Sequence, residues 1–309
     1  MNEFAHTAVL GAGVIGASWA SLFLASGRSV AVYDPSPQTK SSVKRFIDSA
    51  WPVLEKLKLT EFGNPDNISF HNSPNAAVDD ALFVQESVPE QIEIKRALYQ
   101  EIETSLASDA VVASSASGLT LSEMQAGWND PGSLILGHPF NPPHLIPLVE
   151  VMGNEKTRPN IIEKAETFYQ SIGKVTIRVH REVPGHVANR LQAAVWREAI
   201  HLVTTGVASV EDVDTAMWAG PGLRWAVMGP NMLFHLGAGD GGLEEFCERY
   251  TDSFNRWWDD LAELQLTPEL AQKLVAGVLE ESAGVPAAEL CAKRDEMLAA
   301  ILSATQSMR

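Results

Sequence analysis

Thr7-Ala8-Val9-Leu10-Gly11-Ala12-Gly13-Val14-Ile15-Gly16 decides the fold of the first half of the chain. Four residues suited to a buried strand run straight into a Gly-x-Gly-x-x-Gly turn, and over residues 17–25 the apolar spacing becomes helical. The stretch therefore reads strand, turn, helix. Gly11 permits the tight turn, Gly13 leaves no side chain where a pyrophosphate must approach, and Gly16 lets the helix lie close on the strand. The first amides of that helix, at Val14 and Ile15, then face phosphate oxygens with no intrahelical partner. The next apolar run, Ser29-Val30-Ala31-Val32-Tyr33, ends in Asp34. A carboxylate at that place accepts hydrogen bonds from the adenosine ribose and repels a 2′-phosphate, so the expected cofactor is NAD rather than NADP.

The alternation of strand and helix patterns continues. Strands are expected at 67–70, 81–86, 111–114, 133–137, 148–152 and 174–178, with helices such as 91–106 and 160–171 between them. This is the pattern of a Rossmann-type, mostly parallel sheet. Beyond Val183-Pro184-Gly185 the pattern turns helical, at 187–205, at 210–217, and at 286–308 as one amphipathic C-terminal helix. The expected fold is α/β: residues 1–184 form an NAD-binding domain, and residues 185–309 form an all-α domain for substrate binding and dimerisation.

Composition narrows the partners. With 309 residues, 45% of them hydrophobic and 20% charged, the chain can bury a large core. A formal charge of −16 with only 23 Lys and Arg residues speaks against a phosphate-backbone partner, so no nucleic acid is expected. Cys247 and Cys291 lie far apart without Cys-x-x-Cys spacing, which gives neither a disulfide framework nor a metal site and suits a reducing cytoplasm. No uninterrupted apolar segment approaches the roughly 18 residues of a membrane span. A small-molecule substrate is the remaining partner.

The chemistry is carried by His138-Pro139-Phe140-Asn141-Pro142-Pro143 and Pro147-Leu148-Val149-Glu150-Val151. A carboxylate within an apolar strand is costly to bury without a partner, and His138 is that partner. A histidine braced by a carboxylate takes a proton from a secondary alcohol while the carbon gives its hydride to nicotinamide. Ser117 upstream and Asn189 downstream supply groups to hold the oxygen. Against these stand plainer readings: Ser117 as a cap for a helix near Thr120, Asn189 as a helix-terminus residue, and the remaining histidines, His144, His186 and His235 among them, as structural.

Together with Glu86-Ser87-Val88-Pro89-Glu90, Lys95, Ser114-Ser115-Ala116-Ser117-Gly118 and Pro184-Gly185-His186-Val187-Ala188-Asn189-Arg190, these motifs resemble the 3-hydroxyacyl-CoA dehydrogenase superfamily. The likeness is greatest to its lambda-crystallin, or L-gulonate 3-dehydrogenase, branch, with L-carnitine dehydrogenase a near relative. The resemblance covers almost the whole chain. It implies His138 as general base and Glu150 as the carboxylate that orients it. It further implies Ser117 and Asn189 on the substrate oxygen, Ser117 and Asn141 beside the nicotinamide ribose, and Glu90 and Lys95 on the nicotinamide side of the cofactor. A homodimer formed through the second domain is also implied.

Gly220-Pro221-Gly222-Leu223-Arg224-Trp225 bears on the substrate. The acyl-CoA enzymes that the chain resembles are shorter and apolar here. A guanidinium binds a free carboxylate through two parallel hydrogen bonds, and a thioester offers no such charge, so Arg224 favours a free L-3-hydroxy acid of the gulonate kind. Three alternatives stay open: a 3-hydroxyacyl-CoA, with Lys40, Lys44, Arg45, Lys56 and Lys58 toward the CoA phosphate; L-carnitine, with Trp218, Trp225, Trp257 and Trp258 around its quaternary ammonium; and a crystallin-like or sensing NAD-binding protein.

Overall fold

The computed structural model describes residues 4–305. Its sheet comprises β1 (His6–Leu10), β2 (Ser29–Tyr33), β3 (Ile68–Phe70), β4 (Phe83–Glu86), β5 (Val111–Ser114), β6 (Leu134–Pro139), β7 (Leu148–Met152) and β8 (Val175–Arg178). The spatial order is β3-β2-β1-β4-β5-β6-β7-β8, and every neighbouring pair is parallel except β6–β7. From β1 the chain winds outward to β2 and β3, then returns to the other side at β4. That reversal is the switch point where an open α/β sheet leaves a crevice at its strand C-termini.

Helices α1 (Val14–Ala25), α2 (Thr39–Lys56), α3 (Pro74–Val78), α4 (Ile92–Ile102), α5 (Leu121–Gln125) and α6 (Ile161–Ser171) connect these strands. Successive strand residues point to opposite faces, and the core divides accordingly. Val9, Val111, Ala113 and Ile135 join Trp19, Phe23, Phe83, Phe168 and Tyr169 in one cluster. Ala8, Leu10, Val112, Leu134 and Leu136 join Tyr99, Leu121 and Met124 in another. With both faces covered, the central strands are buried and mostly apolar, as in a parallel sheet, with Gln85, Glu86 and Ser114 as buried polar exceptions.

After Arg178 no strand occurs among the described residues. The chain continues as α7 (Ala188–Thr204), α8 (Val210–Ala219), α9 (Pro221–Trp225), α10 (Pro230–Gly237), α11 (Gly242–Asp260), α12 (Pro268–Glu281) and α13 (Ala287–Ala304). The contacts divide the molecule into two compact units. The first runs to Arg190 and takes in Asp295–Ser303; the second spans Leu191–Arg294. Within the second, Phe234 stacks on Phe246 with ring centroids 4.8 Å apart, and Phe254 meets both edge-on or tilted.

Three expectations shift. The helix expected over 91–106 ends at Ile102 and tightens into a 3-10 turn, Glu103–Ser105. Residues 306–308 of the expected C-terminal helix lie outside the described residues. Strand β6 extends through His138 to Pro139 because β7 pairs with it that far, so His138 lies within a strand instead of following one.

Candidate active site

The three loop glycines meet three different constraints. Gly11 has φ +85, and a Cβ there would sit 2.6 Å from the Ser87 and Val88 backbone. A Cβ on Gly16 would lie 1.9 Å from the Gly11 carbonyl oxygen, whereas one on Gly13 would meet nothing within 4 Å. The first and third glycines thus serve packing, and the second keeps open space above the loop. Gly13 caps α1 without a side-chain bond, and Val14 beside it is 64% exposed, so the first amides of this helix are free for an anion. Asp34 at the end of β2 accepts from the Ala12 amide at 2.8 Å through Oδ2, and from the Ser36 amide and Thr39 hydroxyl through Oδ1. This carboxylate fixes the glycine loop from the adenosine side. A dinucleotide pyrophosphate fits the open cradle above Gly13.

At the far side of the same strand edge, His138 and Glu150 are cross-strand partners in the antiparallel β6–β7 pair. His138 Nδ1 lies 2.7 Å from Glu150 Oε2, with the rings and carboxylate 4% and 0% exposed. Glu150 Oε1 accepts from the Val187 and Ala188 amides at 2.8 and 2.9 Å, at the start of α7. Burial alone would raise this carboxyl, but the His138 bond and the two amides outweigh it and hold Glu150 below the ordinary carboxylate value. An ionised Glu150 accepts a hydrogen bond from Nδ1–H, which keeps the proton on Nδ1 and leaves the lone pair on Nε2. Among the described residues Nε2 has no protein partner.

Ser117 sits three residues beyond β5, and its position is set from the core outward. Glu86, fully buried at the end of β4, accepts four bonds: Lys95 Nζ at 2.7 Å, the Val88 amide at 2.8 Å, the Tyr99 hydroxyl at 2.5 Å and the Ser114 hydroxyl at 2.6 Å. Burial and the Glu86 charge hold the Tyr99 proton in place by raising its phenol well above its usual value. Lys95 Nζ is also 3.9 Å from Glu90 Oε2. Glu90 Oε1 in turn accepts from the successive amides of Ser117, Gly118 and Leu119 at 2.9, 2.7 and 3.1 Å. Lys95 is itself 1% exposed, so it reaches the loop through Glu90. Thr120 with Glu123 forms the capping box of α5, which frees Ser117 from a capping role. The Ser117 hydroxyl and the Asn141 and Asn189 amides have no side-chain bond among the described residues.

The loop between β6 and β7, which carries Asn141, is pinned beneath. The Ser18 hydroxyl on α1 is 2.8 Å from both the His144 backbone nitrogen and its Nδ1. Lys174 donates to the Pro143 and Ile146 carbonyls and lies 4.9 Å above the Trp19 ring. Burial pulls its pKa down to about 7, while the two carbonyls and the indole face favour the ammonium. Sequence reasoning missed Glu86, Ser18 and Lys174, whose signal was a polar residue inside or beside an apolar pattern. Arg224, on α9 in the second unit, is exposed and has no ion pair among the described residues.

Residues 6–183 match the 3-hydroxyacyl-CoA dehydrogenase NAD binding domain, and residues 185–280 match the C-terminal domain of the same enzymes. The chain belongs to the 3-hydroxyacyl-CoA dehydrogenase family. As a member it is an NAD-linked oxidoreductase acting on a CH–OH group. It is 44% identical over 301 residues to an L-carnitine dehydrogenase of Nocardiopsis dassonvillei, covering 97% of this chain and 92% of that one. A second L-carnitine dehydrogenase, from Streptomyces coelicolor, is 44% identical over 300 residues, covering 97% and 94%. Both relatives are named for L-carnitine rather than for L-gulonate. Among solved structures, an NAD-dependent 5-formyl-3-hydroxy-2-methylpyridine 4-carboxylic acid 5-dehydrogenase superposes with a TM-score of 0.81 at 30% identity, covering 96% of this chain and 97% of that one. In this chain the His138–Glu150 pair, the glycine loop and the Ser117 loop lie along the C-terminal edge of the parallel strands of one sheet.

Proposed function

We propose that the chain oxidises the C3 hydroxyl of a small free L-3-hydroxy acid to the 3-oxo acid, with L-carnitine as its first substrate. The observation that carries this reading is the buried His138–Glu150 pair, whose remaining imidazole nitrogen is uncommitted. His138 Nε2 accepts the hydroxyl proton, and Glu150, already ionised, offsets the imidazolium charge that forms. Bound NAD would supply the hydride acceptor, so that the carbon loses a hydride, its oxygen loses a proton to His138, and the alcohol becomes a ketone. Ser117 and Asn189 donate to the oxygen and hold its carbon toward the cofactor. The open space at Gly13 and the Val14 and Ile15 amides receive the pyrophosphate, with Gly11 and Gly16 shaping the loop around it, while Asp34 receives the adenosine ribose and Asn141 and Glu90 the nicotinamide side.

The choice of substrate rests on charge. Among the described residues Arg224 makes no ion pair, which suits a guanidinium kept for a substrate carboxylate. Trp218, Trp225, Trp257 and Trp258 are 67%, 38%, 55% and 62% exposed, and their faces suit a quaternary ammonium. The two relatives are named for L-carnitine, which bears both charges. A thioester substrate is the second reading, favoured by Lys40, Lys44, Arg45, Lys56 and Lys58, all exposed on or just beyond α2.

Initial rates of NADH formation with L-carnitine, L-gulonate, 3-hydroxybutyrate and 3-hydroxybutyryl-CoA separate these readings. L-Carnitine should give the highest kcat/KM, and Arg224→Ala should raise its KM at least about tenfold with kcat nearly kept, the signature of lost uniform binding. Turnover of the thioester alone would refute the free-acid reading.

We further propose a homodimer in the cytoplasm, formed through the second unit. Leu191, Trp196, Leu223, Leu236 and Leu279 are each more than half exposed there. That much apolar side chain left in water favours a partner surface.

A further inference from the structure

His186 is 2% exposed and lies beside the dyad, its ring centroid 5.1 Å from that of His138 and tilted 56° to it. Its Nε2 is 3.3 Å from the Ala116 carbonyl, in the residue before Ser117. The next two residues, Val187 and Ala188, supply both amides that hold Glu150 Oε1. One residue thus touches the base, the loop of the oxygen-binding serine and the support of the orienting carboxylate.

Histidine is an expensive choice at this position. The backbone has φ +49, a left-handed conformation uncommon outside glycine, in which Asn, Asp and His occur more readily than other side chains. Nδ1 is buried with no hydrogen-bond partner among the described residues, a loss of solvation that phenylalanine would avoid while filling the same space. Burial first, and the neighbouring His138 as a smaller cause, push its pKa below the ordinary histidine value. The hydrogen bond to the Ala116 carbonyl, and after it the Glu150 and Glu90 charges, act in the opposite direction without outweighing burial. The ring is therefore neutral at pH 7, and with the Ala116 carbonyl as acceptor the proton resides on Nε2.

We propose that His186 is a positioning residue of the active site, whose Nε2–H holds the Ala116 carbonyl and thereby aims the Ser117 hydroxyl, while its ring backs the His138 imidazole. The inference rests on the proposed alcohol oxidation. A misaimed Ser117 loop weakens contacts to the reacting oxygen, so the loss falls on kcat more than on cofactor binding.

Three substitutions separate the tether from simple packing. His186→Phe keeps the ring and removes both Nε2–H and the orphaned Nδ1. His186→Gln places an amide nitrogen near the position of Nε2, and His186→Asn suits the backbone but falls short of Ala116. Steady-state kinetics with L-carnitine, NAD titration by fluorescence, and melting temperatures are to be measured on all three.

The expected result is a kcat lowered at least tenfold in the Phe and Asn variants, with NAD Kd unchanged. The melting temperatures report whether each variant stays folded, and the Gln variant should recover most of the lost kcat. A Phe variant with wild-type kcat, or a Gln variant no better than Phe, would overturn the role. A wild-type chain that oxidises none of the four hydroxy compounds would overturn the proposed reaction itself, and this inference with it.

Discussion

Glu150 shows how single residues are held in the site. It is fully buried, yet each oxygen is satisfied, one by His138 and the other by two amides at the start of α7. Its folded pKa is lowered, so the folded state binds a proton less readily than the unfolded chain does. The stability this contributes is complete above the unfolded carboxylate value of about 4.3 and is lost as the pH falls through the folded value. Glu150→Gln should therefore melt lower at pH 7, by roughly 1–3 kcal/mol of unfolding free energy, and should show a flatter decline in acid. Circular-dichroism melts between about pH 7 and pH 3 check this. Parallel curves for the two proteins would contradict it. The sequence made the dyad legible because an acid in an apolar strand demands a partner. It did not reveal that strand pairing itself aligns the two residues, since β6 was expected to stop before His138. His186 was hidden for the same reason: its neighbours Ala116 and His138 are brought to it by long-range packing.

At the scale of the element, the strand-turn-helix of the glycine loop was readable in full because each glycine answers a local constraint. The order of the strands was not, since the reversal at β1 and the antiparallel β6–β7 pair depend on contacts between distant segments. The loop also separates binding from folding. Gly13 has φ −65, which alanine adopts without strain, and its Cβ would project into open space. Gly13→Ala should therefore melt close to wild type yet bind NAD at least about tenfold more weakly, because the methyl occupies the pyrophosphate cradle. Gly16→Ala drives a methyl into the Gly11 carbonyl and should destabilise the fold by about 1–3 kcal/mol. Melting curves and NAD titrations of the pair test the division. Equal effects on melting would undo it.

The whole molecule consists of two units with different economies. The first buries large aromatics such as Trp19, Phe23, Phe83 and Phe168 completely, whereas the second leaves Trp218, Trp258 and several leucines largely open. Sequence periodicity identified the second unit as helical but gave no sign of how little of it is buried in a single chain. Sedimentation velocity at micromolar concentration should give a dimer, and charged substitutions at Leu191 and Trp196 should shift it toward monomer. A monomeric wild type would contradict the assignment.

In the proposed reaction His138, braced by Glu150, removes the proton from a 3-hydroxy acid bound beside NAD. A single-turnover measurement of NADH formation from L-carnitine by wild type and His138→Ala tests it most directly, with NAD affinity measured on both. The variant should bind NAD as wild type does and form NADH roughly 10²–10⁴-fold more slowly. An alanine variant that produces NADH at the wild-type rate would contradict it.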